Sequence, residues 1–160
     1  MAKSILLFLA LIAIAQSIYF YPQLPEITAS HFDSAGNPNG WMSKQILVLF
    51  YLGMIAILLA IFFFIPKFPN QMKNLPNRDY WLSGDRETET NKYINSSTLR
   101  VGIATLVLLI YIMQLVFEAN LYKIPILSGS IIWALLLYFL FIAVWLVKFY
   151  KRFRMPDQSR

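Results

Sequence analysis

Four long uncharged stretches divide the chain. Residues 4–25 lie between Lys3 and Glu26, residues 45–66 between Lys44 and Lys67, residues 101–117 between Arg100 and Glu118, and residues 124–147 between Lys123 and Lys148. A helix needs about 20 predominantly apolar residues to cross the hydrocarbon of a bilayer. Each window can supply them, the third by borrowing Thr98, Leu99 and the aliphatic stem of Arg100. Lipid offers the backbone no water to bond to, so helix is the expected form of these windows. The pattern predicts helices near Ser4–Tyr21, Ser43–Ile65, Ser97–Ala119 and Ser128–Tyr150. The fold class is an all-α membrane protein: one domain over residues 1–160, with four transmembrane helices and a compact outer loop at 22–42 between the first two.

Local signals sharpen the ends. Ser43 is a candidate N-cap for the second helix, and Pro66 stops it. Pro125 precedes the fourth helix, with Ser128 as its candidate cap. The first window has a rival reading. Lys3, an apolar run and Ala13-Ile14-Ala15 before Gln16 resemble a secretory signal with its cleavage site, but the apolar run continues through Tyr21.

Charge supplies the orientation. Lys3, then Lys67, Lys73, Arg78, Arg86, Lys92 and Arg100, then Lys148, Lys151, Arg152, Arg154 and Arg160 fall on one side, against Lys44 and Lys123 on the other. The positive-inside bias makes the N-terminus, the loop at 66–96 and the C-terminus cytoplasmic. The expected location is a cytoplasmic membrane. The net charge of +6 is therefore a topology signal and a means of meeting anionic lipid, with no motif pointing to nucleic acid.

Composition agrees with the window pattern, being 58% hydrophobic and only 14% charged, against about a quarter charged in soluble domains. The absence of cysteine excludes disulfides, Fe–S clusters, thiol catalysis and Cys-type zinc sites. No phosphate-binding glycine loop, nucleophile elbow or metalloprotease motif occurs, and no cofactor is implied. A membrane-embedded enzyme would rest on His31, Asp33 and Glu118 alone. A transporter is not expected, because the two helix pairs show no internal repeat and no carboxylate lies at mid-membrane depth.

Helices in lipid approach through small residues, and Gly53, Ala56 and Ala60, Gly102 and Thr105, and Ser130 and Ala134 lie at suitable spacings. Gln16, Gln114 and Glu118 are polar groups in the outward halves of their helices. Either they bond between helices, with Glu118 marking the interface, or they floor a small polar pocket beneath the outer loop.

In that loop, Ile27–Phe32 reads as a short extended run. Asp33–Gly40 is rich in turn formers, with Asn39-Gly40 suited to positive φ. Trp41 lies where an aromatic anchors a helix at the interface. The residues Leu24-Pro25, His31-Phe32, Gly36, Gly40-Trp41 and Ser43-Lys44 carry a resemblance to a widespread bacterial membrane family of unknown function. The domain of that family also forms the N-terminal part of the immunity protein against the sporulation-delaying toxin. The stretch Asn74-Leu-Pro-Asn-Arg-Asp-Tyr-Trp-Leu82, followed by Arg86 and Thr90, resembles shorter stand-alone members, so the likeness spans roughly residues 20–100. It implies fold and location. The immunity protein has further membrane helices that this chain lacks, so immunity is not carried over with it.

His31 and Asp33 point to the same side of an extended segment, near Glu26. One histidine and two carboxylates make a poor metal set, so no metal is assigned, and bracing of the loop or ligand recognition are the readings left. In the second polar loop, Pro66, Pro69 and Pro76 keep the chain irregular, and Asp85 could cap a helix running through Lys92 into the third span. Asn77, Arg78, Asp79, Tyr80, Trp81 and Arg86 form a constellation able to bind a partner or an anionic headgroup, or simply to tie the loop. The function expected is a small membrane-resident binding or accessory protein, in the range of envelope sensing or toxin protection. The alternative is a subunit or assembly factor of a larger complex. Partners are the bilayer and either a membrane protein or a second copy.

Overall fold

Each of the four apolar windows contains a long helix in the computed structural model, which describes residues 1–155. The elements are α1 (Ala2–Phe20), β1 (Ile27–Phe32), β2 (Pro38–Ser43), α2 (Lys44–Phe64), α3 (Arg78–Trp81), α4 (Arg86–Ala119) and α5 (Ser130–Arg152). Short 3-10 turns at Ile65–Lys67 and Asn70–Met72 follow α2. α1, α2, α4 and α5 are long and apolar enough to cross a membrane, so the chain is a multi-pass membrane protein. Arg160 and the end of the basic tail lie outside the described residues.

At about 1.5 Å per residue, the 19 residues of α1 span about 28 Å, close to one hydrocarbon thickness. The 34 residues of α4 span about 51 Å, about 20 Å more than the hydrocarbon, so part of this helix projects beyond the lipid. Its polar first turns, Arg86 to Ser97, are the part suited to project. The expected third helix at 97–119 is thus the inner part of one continuous element. Asp85 stands at its N-terminal boundary but makes no side-chain cap bond. Ser43 does cap α2, its hydroxyl accepting from the Ile46 N–H at 3.4 Å. At α5 the Ser128 hydroxyl accepts from the Ser130 N–H at 3.3 Å, one residue outside the assigned boundary Gly129.

α1, α2 and α4 pack mutually, and α5 lies along α4. α1 turns Leu6, Ala10, Ala13, Ser17 and Phe20 inward at alternating spacings of three and four, and the small members let α4 approach. Leu106, Tyr51 and Phe117 complete the centre, each at most 1% exposed. The segment containing Ala13-Ile14-Ala15 packs into the core as α1. Between α2 and α4 the contact point is Gly102, where an added Cβ would lie 2.7 Å from the Phe62 ring. Gly53, the other glycine expected at a helix contact, has open space around it.

α5 buries none of its residues, and Ile132, Trp133, Leu136, Leu137 and Leu140 are exposed along it. Polar ties hold it to α4: Trp145 Nε1 donates to Ser97 Oγ at 2.7 Å, Thr105 Oγ1 meets Tyr138 Oη at 3.0 Å, and Tyr111 Oη donates to Ser130 Oγ at 2.9 Å. Such bonds matter in lipid, where apolar surface gains nothing by pairing with itself.

The segment after α1 departs from an all-helical design. β1 and β2 form an antiparallel hairpin, with Ile27 opposite Ser43 and Ala29 opposite Trp41, and irregular register beyond Ala29. The tip turn centres on Gly36 at φ +84°, not on Asn39-Gly40, which lie within β2. Gly40 is absent from the positive-φ residues; its need for glycine is steric, since a Cβ there would lie 3.0 Å from the His31 Cβ.

Gly102→Val should cost about 1–3 kcal/mol of stability by overpacking against Phe62, read as a lower thermal midpoint in detergent. Gly53→Val should leave that midpoint unchanged. Equal midpoints for the two variants would remove Gly102 as the closest approach of α2 and α4.

Candidate functional site: a clasped hairpin

The hairpin is attached to the bundle at several points. At its base, Lys44 Nζ lies 2.9 Å from the Glu26 carboxylate, 3.4 Å from the Leu24 carbonyl and 5.2 Å from the centre of the Tyr21 ring. The hydrogen bond and charge of Lys44 hold the Glu26 carboxyl below its ordinary range. Glu26 is 75% exposed, so this pair orients the strand base more than it stabilises it. At the tip, Asp33 Oδ1 accepts from the Ala35 and Asn37 N–H groups at 2.9 and 2.8 Å. Those bonds, Asn37 first, hold the Asp33 carboxyl below the usual aspartate value. Gly36 is buried because the tip folds back on the connection to α5: Leu127 N–H donates to the Gly36 carbonyl at 2.9 Å. A Cβ at Gly36 would come within 2.7 Å of the Leu127 carbonyl oxygen.

The strongest attachment is one the sequence reading does not contain. Asn120, at the end of α4 and 3% exposed, pairs with both backbone groups of Ala29. Its Oδ1 accepts from the Ala29 N–H at 2.7 Å, and its Nδ2 donates to the Ala29 carbonyl at 2.9 Å and to the Val116 carbonyl at 2.9 Å. The side-chain amide thus acts as a short third strand along the free edge of β1. Asparagine after an apolar helix signals a helix end. Nothing local in the sequence signals a partner 91 residues away.

His31 and Asp33 do not act together. His31 is exposed, contacts Ser30 Oγ through Nδ1 at 3.1 Å and lies against Gly40, whereas Asp33 is engaged in the tip turn. Among the described residues no three His, Cys, Asp or Glu side chains are grouped to hold a metal. Instead, a groove of about 440 Å³ opens between the hairpin base and the connection after α4. Ile27, Trp41 and Tyr122 form exposed apolar walls, Asn120 lies at its inner side, and Lys123 supplies a cation.

Beneath the hairpin runs a chain of polar side chains. Tyr51 Oη donates to Gln16 Oε1 at 2.8 Å, Gln16 Nε2 to Gln114 Oε1 at 2.8 Å and to the Ile110 carbonyl at 3.2 Å, and Gln114 Nε2 to Glu118 Oε1 at 2.7 Å. It links α2, α1 and α4, which is the interhelical reading of Gln16 and Gln114. The adjoining groove of about 610 Å³ has largely apolar walls, including Ile12, Tyr19, Val107 and Ile110. Tyr51 is the member of this chain that sequence reading missed, since tyrosine in an apolar window carries no signal of depth.

At the opposite end of the bundle the second polar loop closes on the end of α5. Asn77 Nδ2 and Trp81 Nε1 both donate to the Phe153 carbonyl, at 2.9 and 3.0 Å, capping that helix. Asn77 adopts φ +53°, tolerable for asparagine. Phe153 is fully buried with Leu75 and Ile94 against Trp81, Tyr93 and Phe149. Arg78 pairs with Asp79 at 3.1 Å and donates to the Gln71 carbonyl, while Arg86 donates to the Tyr80 carbonyl at 2.9 Å and stacks on the Tyr80 ring at 4.2 Å. The two arginines thus serve separate internal contacts.

Residues 7–55, covering most of α1, the hairpin and half of α2, match a family profile described as a domain of unknown function, DUF1648. No curated protein and no solved structure matches the chain. The matched region contains Gln16, His31, Gly36, Gly40 and Trp41, but not Asn120 or the Asn77–Arg86 segment.

Asn120→Ala should strip the buried Ala29 backbone of its partners at about 1–3 kcal/mol. Amide exchange at Ala29 should then accelerate about tenfold or more while α1 and α2 keep their protection. Unchanged protection at Ala29 would show that the clasp is not what holds β1. The Asp33 carboxyl, depressed in the fold, contributes to the turn above its unfolded value and loses that contribution as pH falls through the lower folded value. The Asn37 amide shift should therefore titrate with a midpoint below about 3.9. A midpoint at or above that value would contradict the turn geometry.

Proposed function

We propose that the protein is a small membrane-resident binding or accessory protein that recognises a partner at its hairpin end. One observation carries this reading. The hairpin is not a slack connection but a clasped surface, and it exposes Trp41 at 53% and Tyr122 at 72% on either side of a groove. Rigid aromatic side chains around a concave surface are a common source of recognition energy. A segment with an apolar side chain for the groove and an acidic group for Lys123 is the complementary ligand.

The charge bias of the sequence supports an outward-facing hairpin, with both termini and the loop at 66–96 in the cytoplasm of a bacterial cell. The matched domain carries no function of its own; the resemblance to the N-terminal part of the toxin immunity protein is what brings envelope sensing or peptide protection into this reading. The absence of buried residues on α5 favours a second reading, a subunit whose α5 packs against another membrane protein.

Sensitivity to envelope-active peptides separates the two. Cells lacking the protein should be more sensitive, with rescue by the native chain. Trp41→Ala with Tyr122→Ala should fail to rescue despite normal membrane levels, because aromatic contacts of this kind contribute about 2 kcal/mol or more. Full rescue by the double variant would eliminate the hairpin groove as the recognition surface. Stoichiometric copurification with a membrane protein that depends on the exposed face of α5 would favour the subunit.

A further inference from the structure

The end of the bundle opposite the hairpin contains a pocket that neither the family match nor the sequence motifs address. It has a volume of about 410 Å³ and is lined by Lys3, Lys67 and Lys92, which come from three different parts of the fold. Lys3 begins α1, Lys67 ends the 3-10 turn after α2, and Lys92 lies on the projecting part of α4. The same stretch of α4 contributes Thr88, Asn91 and Asn95, at spacings that put them on one helix face. The facing wall is Phe63 and Pro66, where the apolar window of α2 ends.

We propose that this pocket binds a phosphate-bearing anion, and that its natural occupant is the headgroup of an anionic phospholipid. Among the described residues the ion pairs are Lys44–Glu26, Arg78–Asp79 and Arg152–Glu89, so no carboxylate neutralises the pocket lysines. The nearest acids along α4, Glu87 and Glu89, are engaged elsewhere: Glu87 accepts from Asn70 at 2.7 Å and Glu89 pairs with Arg152 at 3.0 Å. Lys3 and Lys67 lie 5.9 and 5.2 Å from the ring centres of Phe63 and Phe64, which keeps both ammonium groups at the edge of the apolar surface.

Donors for a phosphate are also present. Thr88 and Asn95 make no side-chain hydrogen bond among the described residues. Asn91 is held on both sides, Lys73 Nζ donating to its Oδ1 at 2.6 Å and its own Nδ2 donating to Asn70 Oδ1 at 3.5 Å, so a single amide N–H is the group it has left to offer. Lysines needed only for orientation could be scattered over the cytoplasmic ends. Here three converge on one cavity. Basic pockets between helices at the lipid boundary suit phospholipid headgroups. The apolar wall of Phe63 and Pro66 favours an amphipathic ligand over a free ion, although inorganic phosphate shares the polar chemistry.

Native mass spectrometry of the full chain, released from a nonionic detergent, tests this with dioleoyl phosphatidylglycerol, dioleoyl phosphatidylcholine and inorganic phosphate added separately. The native chain should retain phosphatidylglycerol about tenfold more than phosphatidylcholine. Lys3→Gln with Lys67→Gln and Lys92→Gln should abolish that preference. So should Thr88→Leu with Asn95→Leu, which leaves every charge in place. Lys148→Gln with Lys151→Gln and Arg154→Gln, an equal loss of charge outside the pocket, should preserve it. Retention of inorganic phosphate without a preference for the anionic lipid would assign the same site to the free ion. The proposal is overturned if the outside variant loses as much as the pocket variants, or if neither phosphatidylglycerol nor phosphate is preferentially retained.

Discussion

Lipid cannot hydrogen-bond a peptide group, and this constraint organises the whole molecule. Each unpaired N–H or carbonyl in hydrocarbon costs several kcal/mol, far more than any helix propensity, so four uncharged windows become four helices. The windows then leave the polar chain nowhere to go but the two ends. The hairpin and the connection before α5 gather at one end, and the loop after α2 meets the end of α5 at the other. α4 serves both ends: Asn120 clasps the hairpin, and its projecting first turns face the second loop and the three-lysine pocket.

Inside the bundle, association relies on fit and on a few polar bonds. The small face of α1, the glycine opposite Phe62 and the Tyr51–Gln16–Gln114 chain join α1, α2 and α4. Interhelical polar bonds of this type contribute about 0.6 kcal/mol each on average, so packing is the larger effect and the bonds chiefly select the register. At the hairpin the balance differs. The Lys44–Glu26 pair is open to water and contributes little, whereas the Asn120 amide meets a fully buried peptide unit that would otherwise be unpaired. Burial, not charge, makes the hairpin part of the bundle.

The helices were legible because their information is local: an uncharged window, a serine before it, a proline after it. The same holds for Ile27–Phe32 as a strand and for the continuation of the third span from near Asp85. The turn lies within the turn-rich stretch Asp33–Gly40, but its positive φ falls at Gly36 and not at Asn39-Gly40, since both sites satisfy turn composition. The choice between them is made by Leu127, which takes the Gly36 carbonyl and leaves room for no side chain there. The Asn120 clasp and the capping of Phe153 by Asn77 and Trp81 join residues 91, 76 and 72 positions apart, and no periodicity encodes such pairs. The residue types in the Asn77–Arg86 segment drew attention for their binding chemistry, yet Asn77, Trp81 and Arg86 are engaged in folding the loop.

The account of function depends on the hairpin surface and the lysine pocket lying on opposite faces of one membrane. Because the chain has no cysteine, single cysteines report their own exposure without background. Ser34→Cys at the hairpin tip and Asp85→Cys before α4 can each be challenged with a membrane-impermeant maleimide in intact cells and after permeabilisation. The account predicts that position 34 reacts at once and position 85 only after the barrier is opened. Reaction of both from the same side would contradict a membrane crossing by α2 and, with it, the separation of the two surfaces.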